Sequence, residues 1–320
     1  MMTPWEQSRW AQLREAAVAG RLPHGLLFCG PTDAGQSELA AELAGYLLCS
    51  AANAEQACGD CRSCRLRVAG THPDLRRIGL LERDDGRLKT EIGVEQVREL
   101  GQWFSLTAQL GGCQVAVLEP ADRLNVNAAN ALLKTLEEPA ANRFLLLVSD
   151  AAVRLPATVR SRCQRVELSL PQRQTGLDWL IAQGSKSAEA ERALRLADGN
   201  PRRALSLIEA GGLPRADAVL HDLQGLASGR EIATQVAQRW LADAPEERLA
   251  LAVRWVAAQG GLPASDKGRL TPQTDFLKLA QWVGQVNEAR RRWPAPLRHE
   301  LLLTGLLLAW QQASANRRTG

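Results

Sequence analysis

Long hydrophobic runs are absent from this sequence of 320 residues. Its longest apolar stretch, 301–310, is interrupted by Thr304 and Gly305. It is far shorter than the ~20 residues that a membrane-spanning helix needs. Residues 1–10 also lack the apolar segment that precedes the cleavage site of a signal peptide. We therefore expect a cytoplasmic protein with no membrane partner.

Lysine is scarce, and the sequence carries no strong net charge of either sign. Only five of its 39 basic residues are lysines, so a single arginine is weak evidence for a special role. Residues 1–165 hold 19 basic and 19 acidic side chains, whereas residues 166–320 hold 20 and 16. The net charge of +4 therefore lies in the second half, and it is too small to indicate a nucleic-acid-binding surface.

Residues 30–37 have the glycine spacing and the final hydroxyl of a phosphate-binding loop. They read Gly-Pro-Thr-Asp-Ala-Gly-Gln-Ser, so Gly30, Gly35 and Ser37 stand where the motif requires them, and Gln36 replaces the lysine. In such loops the backbone N–H groups hold the phosphates, the lysine contacts the outer phosphates and the hydroxyl binds Mg²⁺. Because glutamine is neutral, the sequence predicts a nucleotide-binding fold that does not bind ATP. An ordinary Gly-Pro turn is the alternative for the octet alone.

The segments around this loop have the order of a P-loop domain, namely strand, loop and helix. Residues 25–29 form a short apolar run that suits a buried strand, and residues 37–44 have the apolar spacing of a helix. A second apolar strand, 115–118, ends at Glu119, where P-loop ATPases place two carboxylates. Pro120 occupies the second place, which is a further reason to expect no ATP hydrolysis.

Four of the seven cysteines lie within residues 49–64 and form the strongest local motif of the chain. They are Cys49, Cys58, Cys61 and Cys64. Four thiolates at this spacing favour a closed, tetrahedral and structural Zn²⁺ site. Two disulfides or a redox-active Cys-x-x-Cys pair are the alternatives. A cytoplasmic location disfavours the first, and the overlap of two pairs disfavours the second. Cys29 and Cys113 are expected to be small buried residues.

Helices and strands continue to alternate after the second strand. Residues 127–138 predict a helix closed by Pro139, and residues 144–149 predict another buried strand. The tripeptide Ser-Arg-Cys follows at 161–163. Such alternation favours a parallel sheet covered by helices on both faces.

In combination, these motifs resemble the clamp-loader branch of the AAA+ ATPases. The resemblance rests on Asn-Ala-Leu-Leu-Lys-Thr-Leu-Glu-Glu-Pro at 130–139, on Ser-Arg-Cys at 161–163 and on the cysteine quartet directly after the P-loop helix. The quartet narrows it to the gamma/tau and delta-prime subunit families of bacterial DNA polymerase III. Gln36 and Pro120 favour the delta-prime family. The resemblance covers nearly the whole chain.

The resemblance implies an α/β P-loop (AAA+) domain with a parallel sheet, a small helical lid domain and an all-α C-terminal collar domain. We expect these to occupy residues 1–165, 166–211 and 212–320, with the zinc module at about 49–64 in the first. The chain length suits two or three domains, and abundant Ala and Leu favour helices. A Gly-Gly-Leu-Pro break at 211–214 is the best boundary that the residues offer.

The resemblance also implies a non-catalytic stator subunit of a DNA polymerase complex, without intrinsic ATPase activity, that helps to load a sliding clamp onto primed DNA. Arg162 matches the arginine finger that such subunits extend into a neighbour's ATP site. The expected partners are the gamma/tau and delta subunits. Without the resemblance, a pair with a nearby carboxylate on a surface loop would be the simpler interpretation of Arg162.

Three further features are candidate functional positions. Arg202 takes the place of the lid-domain arginine that contacts phosphate, although a helix-start arginine is the simpler interpretation. Ser149 takes the place of the polar sensor after the fourth strand. The basic run from Arg290 to Arg292 fits the end of a helix, where the dipole favours positive charge. A contact with DNA or with a partner is the alternative for this run.

Two other functions remain open at the level of the sequence. One is an active gamma/tau-like clamp-loader ATPase with an atypical P-loop, which would turn over ATP by itself. The other is a zinc-dependent nucleic-acid-binding protein, whose binding would depend steeply on salt. The balanced charge of the first half disfavours the second of these.

Overall fold

The computed structural model describes residues 2–53, 55–83, 85–138, 140–261, 276–293 and 298–314. Pro139, the predicted helix stop, lies outside the described residues. Contacts between Cα atoms divide the chain into two compact units, Met1–Pro171 and Gln172–Gly320. The described residues of the first unit form two hydrophobic cores, and those of the second unit form one.

A five-stranded parallel sheet forms the centre of the first unit. Its strands are β1 (Gly25–Cys29), β2 (Leu75–Ile78), β3 (Gln114–Leu118), β4 (Arg143–Ser149) and β5 (Gln164–Glu167). They lie in the order β2-β3-β4-β1-β5, and every neighbouring pair is parallel. The sheet confirms the predicted fold class and the three strands that the sequence located, with β3 and β4 each beginning one residue earlier.

Helices cover both faces of this sheet. They are α1 (Pro4–Val18), α2 (Gln36–Leu48), α3 (Arg62–Val68), α4 (Val94–Ser105), α5 (Val126–Glu137) and α6 (Ala157–Arg160). Successive residues of a strand point to opposite faces. Leu26 and Phe28 therefore join the core formed with α1 and α2, whereas Leu27 joins the core formed with α4 and α5.

The register of the sheet brings distant parts of the sequence to one edge. β1 pairs with β4 so that Cys29 lies beside Ser149, and β3 pairs with β4 so that Leu118 lies beside Leu147. In a parallel sheet the carboxyl ends of the strands share one edge, where the loops that follow them are neighbours. The loop after β1 therefore lies near the residues that follow β4, and Glu119 reaches the same edge.

The second unit is helical in every element that the structure describes. Its helices are α7 (Arg173–Ala182), α8 (Ser187–Leu196), α9 (Pro201–Glu209), α10 (Gly212–Ala227), α11 (Ala233–Ala242), α12 (Pro245–Gly261), α13 (Phe276–Arg292) and α14 (His299–Ser314). One hydrophobic core runs through them. Buried Trp282 and Trp310 donate their indole N–H groups to backbone carbonyls at 2.7 and 2.9 Å, as buried tryptophans usually do. The subdivision at residue 211 stays a prediction, because this core includes residues on both sides of it.

Among the helices that the structure describes, none has the length and apolarity needed to cross a bilayer.

Candidate functional site: an altered phosphate loop and a four-cysteine cluster

The phosphate-loop sequence lies at the carboxyl edge of the sheet, between β1 and α2. Gly35 precedes the helix with a φ of 110°, a left-handed conformation that favours glycine. Gly30 lies so near the backbone after β5 that a Cβ would come within 2.5 Å of the Leu168 carbonyl oxygen. Backbone conformation at Gly35 and close packing at Gly30 therefore explain why both positions of the motif are glycine. The predicted order of strand, loop and helix is confirmed.

Gln36 stands in place of the lysine, and its side chain is bonded inside the site. It is 2% exposed. Its Nε2 donates hydrogen bonds to the Pro31 carbonyl oxygen at 2.8 Å and to Oδ1 of Asp150 at 3.2 Å. Since the amide nitrogen carries two protons, both are used by the protein itself. The side chain presents no positive charge to a phosphate.

Ser37 and Glu119 stand where an active P-loop site places the hydroxyl and the carboxylate that hold Mg²⁺. Here the Ser37 hydroxyl donates a hydrogen bond to Oε1 of Glu119. Each group therefore supplies a hydrogen-bond partner for the other. Pro120 follows Glu119 and supplies no second carboxylate.

A cavity of about 190 Å³ remains between the loop and the ends of β3 and β4. The described ionisable residues that line it are all acidic, namely Asp33, Glu38, Glu119 and Asp150. Burial raises the pKa of Asp150, and the nearby Asp33, Asp122 and Glu119 raise it further, against a hydrogen bond with Thr32 that lowers it. A cavity of this charge repels the phosphates of a nucleotide.

Ser149, the predicted polar sensor, is the last residue of β4 and is buried. Its hydroxyl donates to Oδ1 of Asp122 at 2.9 Å and accepts from the Ala151 N–H at 3.1 Å. These bonds join the turn after β4 to the turn after β3. A sensor role for Ser149 stays a prediction.

Arg162 lies between α6 and β5 and is paired within its own unit. Its Nη2 lies 2.6 Å from Oε1 of Glu137, and its Nη1 donates to the Thr158 carbonyl oxygen at 2.9 Å. The side chain is 37% exposed. The nearby carboxylate considered from the sequence is therefore Glu137, the last residue of α5. The role of Arg162 as a finger stays a prediction.

Arg202 and the basic run belong to the second unit. Arg202 lies in the first turn of α9, whose N-terminus is capped by Oδ1 of Asn200. Arg290, Arg291 and Arg292 form the last turn of α13. These positions are those of helix ends. Contacts of either group with phosphate, DNA or a partner stay predictions.

The four clustered cysteines meet at one point. Their Sγ atoms, in Cys49, Cys58, Cys61 and Cys64, all lie within 4.8 Å of one another. They come from the end of α2, the loop that follows it and the start of α3, and all are free thiols. A group this compact could hold a metal ion, and four sulfur ligands fit the tetrahedral preference of Zn²⁺.

The backbone around the cluster supports this arrangement. Cys58, Cys61 and Cys64 each donate a backbone N–H to the sulfur of the preceding cysteine of the motif, at 3.3, 3.3 and 3.4 Å. Hydrogen bonds with Ser50 and Cys64 lower the pKa of Cys61 to about 5, while burial raises the pKa of Cys64 to about 12. A metal ion would supply the positive charge that allows all four to bind as thiolates.

The remaining cysteines lie in the cores. Cys29 and Cys113 are buried, as predicted, and so is Cys163. Burial raises the pKa of Cys113 and of Cys163 to about 11. Both are therefore protonated and unreactive near neutral pH.

A buried hydrogen-bond network beside the cysteines was not predicted from the sequence. Ser63 donates to the Leu48 carbonyl oxygen at 2.5 Å and lies 2.6 Å from Nε2 of His72. The Asp74 N–H donates to Nδ1 of His72 at 3.1 Å. Because the Ser63 hydroxyl donates its hydrogen bond to Leu48, it can only accept from His72, so Nε2 of His72 carries the ring proton. Nδ1 acts as an acceptor, and the imidazole is therefore neutral. The one sequence signal was a His-Pro pair shortly after the cysteines, which alone predicts only a turn.

Comparison with known proteins gives consistent matches. A family model described as DNA polymerase III, delta subunit, matches residues 5–172. The chain is 40% identical over 239 residues to DNA polymerase III subunit delta' of Pseudomonas aeruginosa, which covers 74% of this chain and 70% of that protein. It is 32% identical over 329 residues to the subunit delta' of Yersinia pestis, which covers 97% and 95%. A match to the subunit delta' of Escherichia coli, at 39% identity, covers 64% and 60%.

A solved structure shows the same fold. It is a DNA polymerase III gamma subunit-related protein from Thermotoga maritima, with a TM-score of 0.51 and 16% identity, covering 96% of this chain and 99% of that chain. Sheet order, altered P-loop and helical second unit together define a P-loop protein of the AAA+ class. The sequence matches then decide the family: the chain belongs to the delta-prime subunit family of the bacterial DNA polymerase III clamp loader. The resemblance that the motifs indicated is confirmed.

We expect His72 to contribute to the pH dependence of stability. Burial is the main cause that lowers its pKa in the folded protein, so the unfolded chain, with a histidine pKa of ~6.5, takes up a proton first as the pH falls. The free energy of unfolding should therefore decrease below about pH 6.5. Urea unfolding of the wild type and of His72→Gln, each across this range, measures the difference.

The exposed His221 provides the matched control, His221→Gln, which should keep the wild-type pH dependence. If His72→Gln also kept it, the neutral and buried state assigned to His72 would be wrong.

Proposed function

We propose that this chain is a non-catalytic stator subunit of the DNA polymerase III clamp loader, and that it donates Arg162 as an arginine finger to the ATP site of a neighbouring subunit. The observation that carries the proposal is the closed phosphate loop, in which Gln36 is bonded to Asp150 and Ser37 to Glu119. Such a loop has no cation for the outer phosphates and no uncommitted hydroxyl for Mg²⁺. The contribution of this chain to an ATP-driven assembly is therefore expected from residues outside its own loop.

The environment of Arg162 suits a residue that acts on a neighbour. Buried Val159 and Cys163 anchor the segment that carries it in the core, so the arginine projects from a fixed base. Its pair with Glu137 is partly exposed, and surface pairs of this kind contribute only about 0–1 kcal/mol. A guanidinium binds phosphate oxygens with two parallel, charge-assisted hydrogen bonds. The γ-phosphate of a neighbour's ATP could therefore displace Glu137 at little cost in stability.

Membership of the delta-prime family supports other clamp-loader subunits as the partners of this chain. Its members are named as subunits of DNA polymerase III, and the partners that fit a finger in trans are the gamma/tau ATPase subunits, with delta in the same assembly. The sliding clamp and primed DNA would be reached through the assembled complex. The near-neutral first half of the chain fits this indirect role better than independent DNA binding.

The cysteine cluster supports a structural Zn²⁺ ion in the same unit. Four protein thiolates fill a tetrahedral shell and leave no open position for a water molecule. The ion would join the end of α2, which follows the phosphate loop, to α3. Its role is therefore to fix the loop between these helices, without a part in catalysis.

Arg162→Ala should reduce ATP turnover by the assembled clamp loader in the presence of clamp and primed DNA. Loss of an arginine finger lowers the rate by about 10³ to 10⁵ at the one site that it serves. Arg162→Lys should restore little, because lysine keeps the charge but lacks the planar fork. Steady-state turnover of each assembly, together with its elution as an intact complex, gives the comparison.

Arg165→Ala is the matched control, since Arg165 is also exposed and lies 2.6 Å from a carboxylate, that of Glu167. It should leave turnover unchanged. Unchanged turnover with Arg162→Ala in an intact complex would contradict the finger. Robust turnover by this chain alone would instead support a gamma/tau-like motor.

Cys64→Ala should remove the bound metal and lower the stability of the first unit. Zinc content, measured by elemental analysis, should fall from one equivalent to none. The free energy of unfolding should fall by at least about 2.7 kcal/mol, the value for a ligand present at 100 times its Kd. Cys113→Ala, at a buried cysteine outside the cluster, should retain the metal. Unchanged unfolding of Cys64→Ala after confirmed metal loss would show that the ion is not structural.

A further inference from the structure

Glu6 is a fully buried carboxylate whose position is not explained by its own helix alone. It lies in the first turn of α1 and is 0% exposed. Its Oε2 accepts a hydrogen bond from the Thr3 N–H at 2.8 Å. This bond is the usual one by which a glutamate three residues into a helix caps the N-terminus. It uses one of the two carboxylate oxygens.

The other oxygen lies against the last glycine of the phosphate loop. A Cβ placed on Gly35 would overlap Oε1 of Glu6 and would come within 2.6 Å of Cδ and 3.2 Å of Cγ. Glycine is used in phosphate loops because the missing side chain lets a ligand approach the backbone closely. In this chain, the group that makes the close approach at Gly35 is the carboxylate of Glu6.

The charge of Glu6 suits this place. Gly35 is the N-cap residue directly before α2, and backbone N–H groups and the helix dipole favour an anion at such an end. Gln36 brings no competing positive charge to the loop. The cavity that remains beside Ser37 lies among other residues and does not include Glu6.

We propose that Glu6 is an internal ligand of the phosphate loop, and that its carboxylate takes the place of a nucleotide phosphate at Gly35. This inference deepens the proposed function, because it rests on a loop that does not turn over ATP. It adds a second barrier to nucleotide binding that is independent of Gln36. Restoring the lysine alone is then insufficient, since the carboxylate would pair with the new ammonium group and would still occupy the position of a phosphate.

Binding of Mg²⁺-ATP and of pyrophosphate to the purified chain, measured by titration calorimetry, tests the proposal. The variants are Gln36→Lys, the double variant Gln36→Lys with Glu6→Ala, and the double variant Gln36→Lys with Glu6→Gln. Removal of Glu6 should strengthen binding by at least about tenfold over Gln36→Lys alone, because a like charge leaves the site. Glu6→Gln should give an intermediate gain, since it removes the charge but keeps the volume.

Glu15→Ala in the Gln36→Lys background is the matched control, because Glu15 lies on the same helix with its side chain 78% exposed. It should give no gain. Thermal melting without nucleotide checks each fold, and Glu6→Gln retains an acceptor for the Thr3 N–H if Glu6→Ala unfolds. Equal binding by Gln36→Lys with and without Glu6, or no binding by any variant, would overturn the proposal. Either result leaves the test of Arg162 in the assembly unaffected, because the two readouts are separate.

Discussion

The hydrogen bonds of the Gln36 amide are the interaction on which the rest of the site depends. They join the phosphate loop, through Pro31, to Asp150 after the adjacent strand. The parallel register of β1 and β4 places these two groups side by side. A lysine would bring a positive charge into this space, whereas the neutral amide leaves the acidic lining uncompensated. The substitution therefore removes a phosphate ligand and closes the loop on itself at the same time.

A closed loop suits a subunit whose shape does not follow the nucleotide cycle. Ser37 and Glu119 satisfy each other, so no Mg²⁺ is needed to complete their bonding. On the other side of the sheet, the core that contains Val159 and Cys163 holds the segment of Arg162. The first unit thus combines the five-stranded sheet of a nucleotide-binding fold with a surface arginine whose segment is anchored in the core. This combination fits the proposed stator role.

Sequence patterns predicted the features that depend on neighbours along the chain. The apolar run of β1, the glycines at 30 and 35 and the cysteine spacing each encode a local geometry, and the structure contains all three. The partners across the sheet could not be predicted in this way. Gln36 and Asp150 are 114 residues apart, and their contact depends on the register of two strands. The contact of Glu6 with Gly35 has no local signal either, because nothing in the sequence around Glu6 indicates that α1 meets the loop.

Arg162 is paired with a carboxylate that its sequence context does not reveal. The sequence identified the residue through its Ser-Arg-Cys context and left the carboxylate unnamed, because Glu137 lies at the end of α5, far from Arg162 along the chain. The structure supplies that carboxylate, but the proposed finger would act on a site in another chain. The resemblance to the clamp-loader family carries that step, and the exposure of the pair is compatible with it.

The most direct test of the account is the structure of the assembled clamp loader trapped with ADP and aluminium fluoride, a mimic of the phosphoryl group in transfer. We predict that the guanidinium of Arg162 has left Glu137 and lies within hydrogen-bonding distance of the fluoride group in the neighbouring subunit, while residues 30–37 of this chain hold no nucleotide. Nucleotide bound to this loop, or Arg162 still paired with Glu137 beside a completed neighbouring site, would contradict the account.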